Sequence, residues 1–322
     1  MKTRRPGFGM VSESDVEPTD AELVCRVALA CTDGVGPALF EEIRNAYGTC
    51  REAIRNARRR PLLSLPRIGA KTADAVLRLR EELPRWRTML VELGKTGIGV
   101  VSDGDANYPQ ALKALEHPPP LLFVRGELNE EDQWGLAMVG ATHPTEEGRH
   151  AAIESARRVA RRGRTVISGF ARGVDSAAHF GAISAGGRTV AFPATGLGKV
   201  PPTREFREPE TISDSGALLS PFPPFQEWKV GAAMRRNSLV AAMARAVFVV
   251  ESVRDGGAVY TARVARSLGK PVFALGRKRT GKKSEGNLQL LESGASEIAC
   301  FADVDRMIEN ACGDGRANIR QG

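Results

Sequence analysis

The sequence is poor in the residues that build metal sites and disulfides, with five cysteines and four histidines in 322 residues. Cys25, Cys31, Cys50, Cys300 and Cys312 form no CxxC pair, and His117, His143, His150 and His179 fall in no metal-ligand spacing. This excludes a disulfide framework and a zinc site as organising features. The thiols read as small buried or incidental side chains, and no metal or cofactor is expected. No apolar run approaches the ~20 residues that span a bilayer. The start, Met1-Lys2-Thr3-Arg4-Arg5-Pro6, leads into no apolar signal core. A cytoplasmic location follows as the expectation. Aromatic residues make up 6%, so few rings are on hand to stack nucleic-acid bases.

What is present suits a globular protein. Hydrophobic residues reach 42% and charged residues 26%, enough for a sizeable core, and the length favours two domains over one. The net charge of +8 permits a nucleic-acid partner without requiring one. Arginines gather in two blocks, Arg51 to Arg60 and Arg157 to Arg164, each of which taken alone reads as a solvated helix face.

One segment is more specific. Residues 168–179 read Ser-Gly-Phe-Ala-Arg-Gly-Val-Asp-Ser-Ala-Ala-His. An apolar run, Thr165-Val166-Ile167, precedes it, and a small-residue helical pattern follows from Ser176. A strand that breaks at glycines and re-enters as a helix aims backbone N–H groups at one point, where the helix dipole adds positive potential. Arg172 brings a full charge and a planar fork of donors. Such a turn is built to hold a phosphate, either of a nucleotide or of a nucleic-acid backbone.

The chain reads as a disordered N-terminus over 1–20, a helical domain over 21–95, an α/β domain over 96–305 and a C-terminal tail over 306–322. Asp20 is placed to cap a first helix at Ala21. Helical patterns follow at Leu39–Tyr47, Cys50–Ala57, Lys71–Leu83 and Trp86–Leu93. Two breaks in this region are alike: Asp33-Gly34-Val35-Gly36-Pro37 and Pro66-Arg67-Ile68-Gly69-Ala70. Each sets an apolar residue before a glycine that opens a helix, and each resembles the helix-hairpin-helix motif, in which hairpin N–H groups meet a DNA phosphate. Gly36, Gly69 and Lys71 are the candidate contacts. The alternative is a pair of glycine turns between packed helices, serving as a scaffold.

From Ile98 onward, strand and helix patterns alternate. Strands are expected at Ile98–Val101, Leu121–Gly126, Gly135–Val139, Thr165–Ile167, Thr189–Phe192, Ala246–Val250 and Pro271–Ala274. Helices are expected at Glu146–Arg162, Ser176–Ala185, Ser238–Arg245, Tyr260–Leu268 and Leu288–Ser293. Apolar strands without polar alternation predict a doubly wound, mostly parallel sheet covered on both faces, with ligands at the carboxyl edge.

These pieces, in this order, resemble the DNA-processing protein A family, also called Smf. The resemblance runs over roughly residues 20–305. It rests on Gly140-Ala141-Thr142 at the first turn, Ser168 through His179 at the second, Gly186-Gly187-Arg188-Thr189-Val190-Ala191 and Thr195-Gly196-Leu197. It continues through Gly216–Ser220, Phe222-Pro223, Arg235-Arg236-Asn237 and Thr261-Ala262-Arg263 behind Val249-Val250-Glu251, with Asn107-Tyr108-Pro109 and Pro119-Pro120-Leu121-Leu122 ahead of the sheet. It implies an extended Rossmann-like domain behind a small all-helical domain of helix-hairpin-helix or SAM-like character. It also implies single-stranded DNA binding, protection of incoming strands in natural transformation and recombination, loading of the RecA recombinase, and a homodimer formed through the Rossmann-like domain. No catalytic activity goes with it. Many members add a C-terminal winged helix, for which this sequence ends too soon. The sequence departs from the family at Thr142, Pro221, Ser238, Gly256 and Ala258, and its Asn287 stands one place early.

The candidate DNA-phosphate contacts are Arg172, Arg235, Arg236 and Lys229. Gly140, Ser168, Gly169, Gly173, Gly257 and Thr261 offer close backbone approach and donors. Removing any one of the cations should lower the salt slope by roughly one unit. Arg172 has an alternative as an ion-pair partner of Asp175. Asp175 is expected to orient the helix, and His179 to be packed in it. Asn237 is expected to cap a helix at Ser238 or to meet a base edge. Phe170 is the candidate for base stacking, while Phe222, Phe225 and Trp228 are expected to pack a proline-rich loop. Two further readings stay open: a nucleotide-binding Rossmann-like protein acting as a small-nucleotide sensor or hydrolase, and an assembly module for a recombinase. Asp175 and Glu251 are the only acids within the motifs and have no evident catalytic partner, so the protein is expected not to be an enzyme.

Overall fold

The computed structural model describes residues 20–276 and 281–312. Of the tails expected over 1–20 and 306–322, residues 1–19 and 313–322 lie outside them. The chain divides into two compact units, Met1–Gly99 and Val100–Gly322.

The first unit is helical: α1 (Ala21–Ala30), α2 (Pro37–Tyr47), α3 (Cys50–Asn56), α4 (Arg59–Leu63) and α5 (Ala70–Lys95). Asp20 caps α1, its carboxylate accepting from the Glu22 N–H at 2.8 Å. Leu29, Phe40, Ile43, Ile54, Leu62, Val76 and Leu79 form the core. Two helices expected on either side of Pro84 are one helix, α5. Leu79, Leu83 and Trp86 pack on the same core to both sides of the proline, and that packing outweighs the one backbone hydrogen bond proline removes.

The two similar breaks fold alike. In each, the second residue takes a left-handed conformation (Gly34 at φ 84°, Arg67 at φ 62°), an apolar residue is buried (Val35, Ile68), and an extended glycine caps the next helix (Gly36 for α2, Gly69 for α5). A β-carbon on Gly34 would collide with the Thr72 side chain, so the two hairpins pack against each other.

The second unit is built on a nine-stranded sheet: β1 (Ile98–Ser102), β2 (Leu121–Gly126), β3 (Leu136–Val139), β4 (Val166–Ser168), β5 (Thr189–Ala191), β6 (Gly216–Ser220), β7 (Ala246–Val249), β8 (Val272–Leu275) and β9 (Ser296–Ile298). The order is β1-β2-β6-β5-β4-β3-β7-β8-β9. Pairing is parallel from β6 through β9, and β2 runs antiparallel to β6. Neighbouring side chains alternate between faces. Leu136, Met138, Val166, Ala246 and Phe248 meet α6 (Glu146–Arg161), α7 (Val174–Ser184) and α11 (Phe301–Cys312). Ala137, Val139, Ile167, Val247 and Val249 meet α8 (Val230–Met243), α9 (Gly257–Ser267) and α10 (Glu285–Glu292). This is the doubly wound α/β architecture that the unbroken apolar strands predict.

Three details differ from expectation. Strand β6 was legible only as a motif, and β9 not at all. Helix α8 begins at Val230, eight residues before Ser238. Residues 306–312, read as tail, belong to α11, which buries Val304, Met307 and Ile308. The second arginine block serves this packing. Arg158 pairs with Asp305 at 2.8 Å, and Arg162 pairs with Asp305 and Glu309.

Candidate nucleic-acid interface

The strand order reverses between β3 and β7, so the switch point lies where those strands end. The loops there are Gly140–Thr145 and Val250–Gly256. The chain fills this crevice with its own anion. Buried Glu251 accepts from the Thr145 N–H at 2.8 Å and from the Thr145 hydroxyl at 2.5 Å, while Thr145 caps α6 through the Gly148 N–H at 2.9 Å. A carboxylate at a helix N-terminus takes the place a phosphate would take. Gly148 has no side chain because a β-carbon would strike the Glu251 carboxyl. Beside it lies a cleft of about 560 Å³ lined by Thr145, Glu147, Glu251 and Gly281–Ser284. Among the described residues no group of His, Cys, Asp and Glu side chains converges to hold a metal.

The Ser168–His179 segment sits one strand away, at the end of β4 and the start of α7. Its glycines are needed first for packing. A β-carbon on Gly169 would overlap the Arg236 guanidinium, one on Gly173 (φ 82°) would overlap the carbonyls of Ala141 and Thr142, and one on Gly140 would overlap Val174. The first and second turns therefore interlock, and the Val174 N–H donates to the Ala141 carbonyl at 3.1 Å. Ser168 is buried and donates to the Met138 carbonyl at 2.6 Å.

Within this turn the charges separate into two kinds. Arg172 is exposed and pairs with no carboxylate among the described residues. Asp175 instead faces Arg236. That arginine is 6% exposed and donates to the carbonyls of Gly169 and Phe192, the latter at 3.1 Å, and to the Asp175 carboxylate at 3.5 Å. Arg236 is thus a buried strut joining the ends of β4 and β5, not a free phosphate contact. Burial raises the Asp175 carboxyl above its ordinary range, against the pull of Arg236 and of the Ala171 N–H, which donates to it at 3.2 Å. His179 is packed in α7 as expected. Its Nδ1 lies 2.6 Å from the Thr189 hydroxyl, whose own proton goes to the Val166 carbonyl, so Nδ1 is the donor. Burial, with Arg236 nearby, drives its imidazole down to about 3.

Other candidates change role. Phe170 is 4% exposed and packs against His179 and Phe206, with ring centres at 5.8 and 5.6 Å, so it offers no face to a base. Its backbone is left-handed, with φ 55°. Asn237 lies inside α8, cannot cap it, and donates to the Gly257 carbonyl at 3.3 Å. Thr261 is buried and donates to the same carbonyl at 2.9 Å, closing a turn of α9. Arg235 is half-buried with its guanidinium 5.8 Å from the Phe222 ring centre, and burial lowers it from its usual value. Lys229 is exposed at the start of α8. Two features escaped the sequence. One is the Thr145–Glu251 cap, whose members stand 106 residues apart. The other is the exposure of Phe225 and Trp228.

In the first unit, Gly36 and Gly69 have ordinary negative φ, and a β-carbon on either meets nothing within 4 Å. Neither conformation nor internal packing calls for glycine there. Lys71 is exposed, 3.9 Å from the equally exposed Asp33.

The model of the family described as DNA recombination-mediator protein A matches residues 99–310. Protein Smf of Synechocystis is 28% identical over 272 residues, which are 82% of this chain and 67% of that protein. Among solved structures, DNA processing protein A of Streptococcus pneumoniae superposes with a TM-score of 0.69 at 21% identity, over 88% of this chain and 96% of that one. DNA processing protein A of Helicobacter pylori, described for its single-stranded DNA binding mode, gives a TM-score of 0.60 at 26% identity, over 66% of this chain and 97% of that one.

Proposed function

Since the chain belongs to the DNA recombination-mediator protein A family, we propose that it binds single-stranded DNA along the carboxyl edge of its sheet, protects the strand and passes it to the RecA recombinase. The observation that carries the DNA reading is Arg172, an exposed cation without a carboxylate partner among the described residues, held on a turn that three interlocked glycines and a buried ion pair make rigid. A fixed turn presents its charge without an ordering cost at the moment of binding. Lys229 adds a second exposed cation at the start of α8. The hairpins of the first unit, with Gly36, Gly69 and Lys71, supply further phosphate contacts. The protein acts as a homodimer in the cytoplasm and performs no catalysis.

A nucleotide in the switch-point crevice is the weaker reading, because Glu251 already occupies the α6 N-terminus that a phosphate would need. Fluorescence anisotropy with labelled oligo-dT and matched duplex, joined to thermal melts with mononucleotides, separates the two. The DNA reading expects single-strand preference and no stabilisation by mononucleotides. Saturable stabilisation by a mononucleotide with no oligonucleotide binding would replace it.

A further inference from the structure

An exposed aromatic surface on the sheet edge lies in residues 221–229, where the sequence pattern predicts only loop packing. Phe222 is buried as expected, but Phe225 is 57% and Trp228 59% exposed. They are not loosely held. Pro221, Pro223 and Pro224 fix the backbone. The Gly196 N–H donates to the Gln226 carbonyl, the Gly198 N–H to the Pro224 carbonyl and the Gln226 N–H to the Pro223 carbonyl, each at 2.9 Å. Gly198 lies directly under Phe225: a β-carbon there would stand 2.9 Å from the ring. One side of that ring therefore lies against the Gly198 backbone, while more than half of the residue stays exposed.

The segment leaves the carboxyl end of β6, and the Arg172 turn leaves the carboxyl end of β4. These parallel strands are separated only by β5, a spacing of about 10 Å. Lys229 is exposed directly after Trp228, and Arg235 lies over the Phe222 ring that anchors the loop. Glu227 is the one acidic side chain within the segment. Exposed aromatic side chains and exposed cations on loops that leave the same sheet edge match a strand that offers bases and phosphates in alternation. Resting on the DNA reading above, we propose that Trp228 and Phe225 form a stacking platform for the bases of single-stranded DNA, beside the Arg172 phosphate contact.

The test compares oligo-dT with an abasic oligonucleotide of the same length, for the full chain and for Trp228→Ala, Phe225→Ala and Arg172→Ala. Both aromatic side chains are exposed, so their removal leaves the fold intact; a melting curve for each variant verifies this. The wild type should prefer oligo-dT over the abasic strand by about tenfold or more. Trp228→Ala should lose most of that preference while keeping the slope of log K against log salt, and binding should quench Trp228 emission. Arg172→Ala should show the converse, a reduced slope with the base preference kept. If Trp228→Ala and Phe225→Ala both retain the preference, the platform is wrong while the Arg172 reading stands. If Trp228→Ala leaves DNA affinity untouched but shifts the sedimentation coefficient, the surface covers a second copy and the platform is also wrong. If the wild type binds no single strand at low salt, the DNA reading falls and takes the platform with it.

Discussion

Two arginines that the motif pattern places in one group of phosphate contacts do different physical work. Arg172 faces solvent and Arg236 is buried against Asp175, Gly169 and Phe192. Removing one partner of a buried pair strands the other charge, so Arg236→Met should destabilise the fold by about 3–5 kcal/mol, read from urea unfolding. Its loss of DNA binding should track the loss of folded protein. Burial also makes His179 an acid-sensitive group. Its folded value near 3 lies below the ordinary 6.5, so between those pH values the unfolded chain binds a proton that the folded chain does not. Stability should fall as pH drops through this window, by at most about 1.4 kcal/mol per pH unit. Asp175, with its carboxyl raised, works in the opposite sense and blunts the fall. The slope of urea midpoint between pH 7 and pH 5 should therefore flatten in His179→Gln relative to wild type. Sequence alone could place Arg172 and Arg236 in the same group, because residue type does not reveal which arginine is covered. The separation of 61 positions between Asp175 and Arg236 hides their pairing.

Elements carry the next level. The turn at each glycine was legible because a strand that breaks at glycine and re-enters as a helix leaves a strong pattern. Why each residue is glycine was not legible. Gly140, Gly169 and Gly173 are fixed by neighbours that only the fold brings near, whereas Gly36 and Gly69 have empty space where a side chain would be. The two classes make opposite predictions. Gly169→Ala should unfold the turn, since the β-carbon overlaps the Arg236 guanidinium. Gly69→Ser should raise stability by a few tenths of a kcal/mol, because serine is a good N-cap, and should still weaken DNA binding if the hairpin meets phosphate. Thermal melts and anisotropy on the same variant read both effects. Helix α8 begins earlier than expected because Val230-Gly231-Ala232-Ala233-Met234 shows no apolar stripe. The helix leaves Val230 and Met234 exposed and buries Ala232. Short β9 escaped for a related reason: Ser296 and Glu297 are exposed, so nothing in its pattern marks a strand.

At the scale of the whole molecule, the α/β class and the family were readable because many short motifs recur in order. The partition of charge was not readable. Of the 46 lysines and arginines, several are paired with carboxylates, as Arg158 is with Asp305 and Arg188 with Asp132. On the proposed reading, affinity for DNA depends on exposed cations such as Arg172 and Lys229 more than on bulk charge. At the switch point the chain's own Glu251 sits at the α6 N-terminus, and the DNA site is proposed at the neighbouring β4–β6 edge. The most direct test is the salt dependence of oligo-dT affinity for the wild type and Arg172→Ala. With one phosphate fewer neutralised, the slope of log K against log salt should become shallower by about 0.7, with the unfolding midpoint unchanged. An unchanged slope in a fully folded Arg172→Ala protein would contradict the assignment of this edge to DNA.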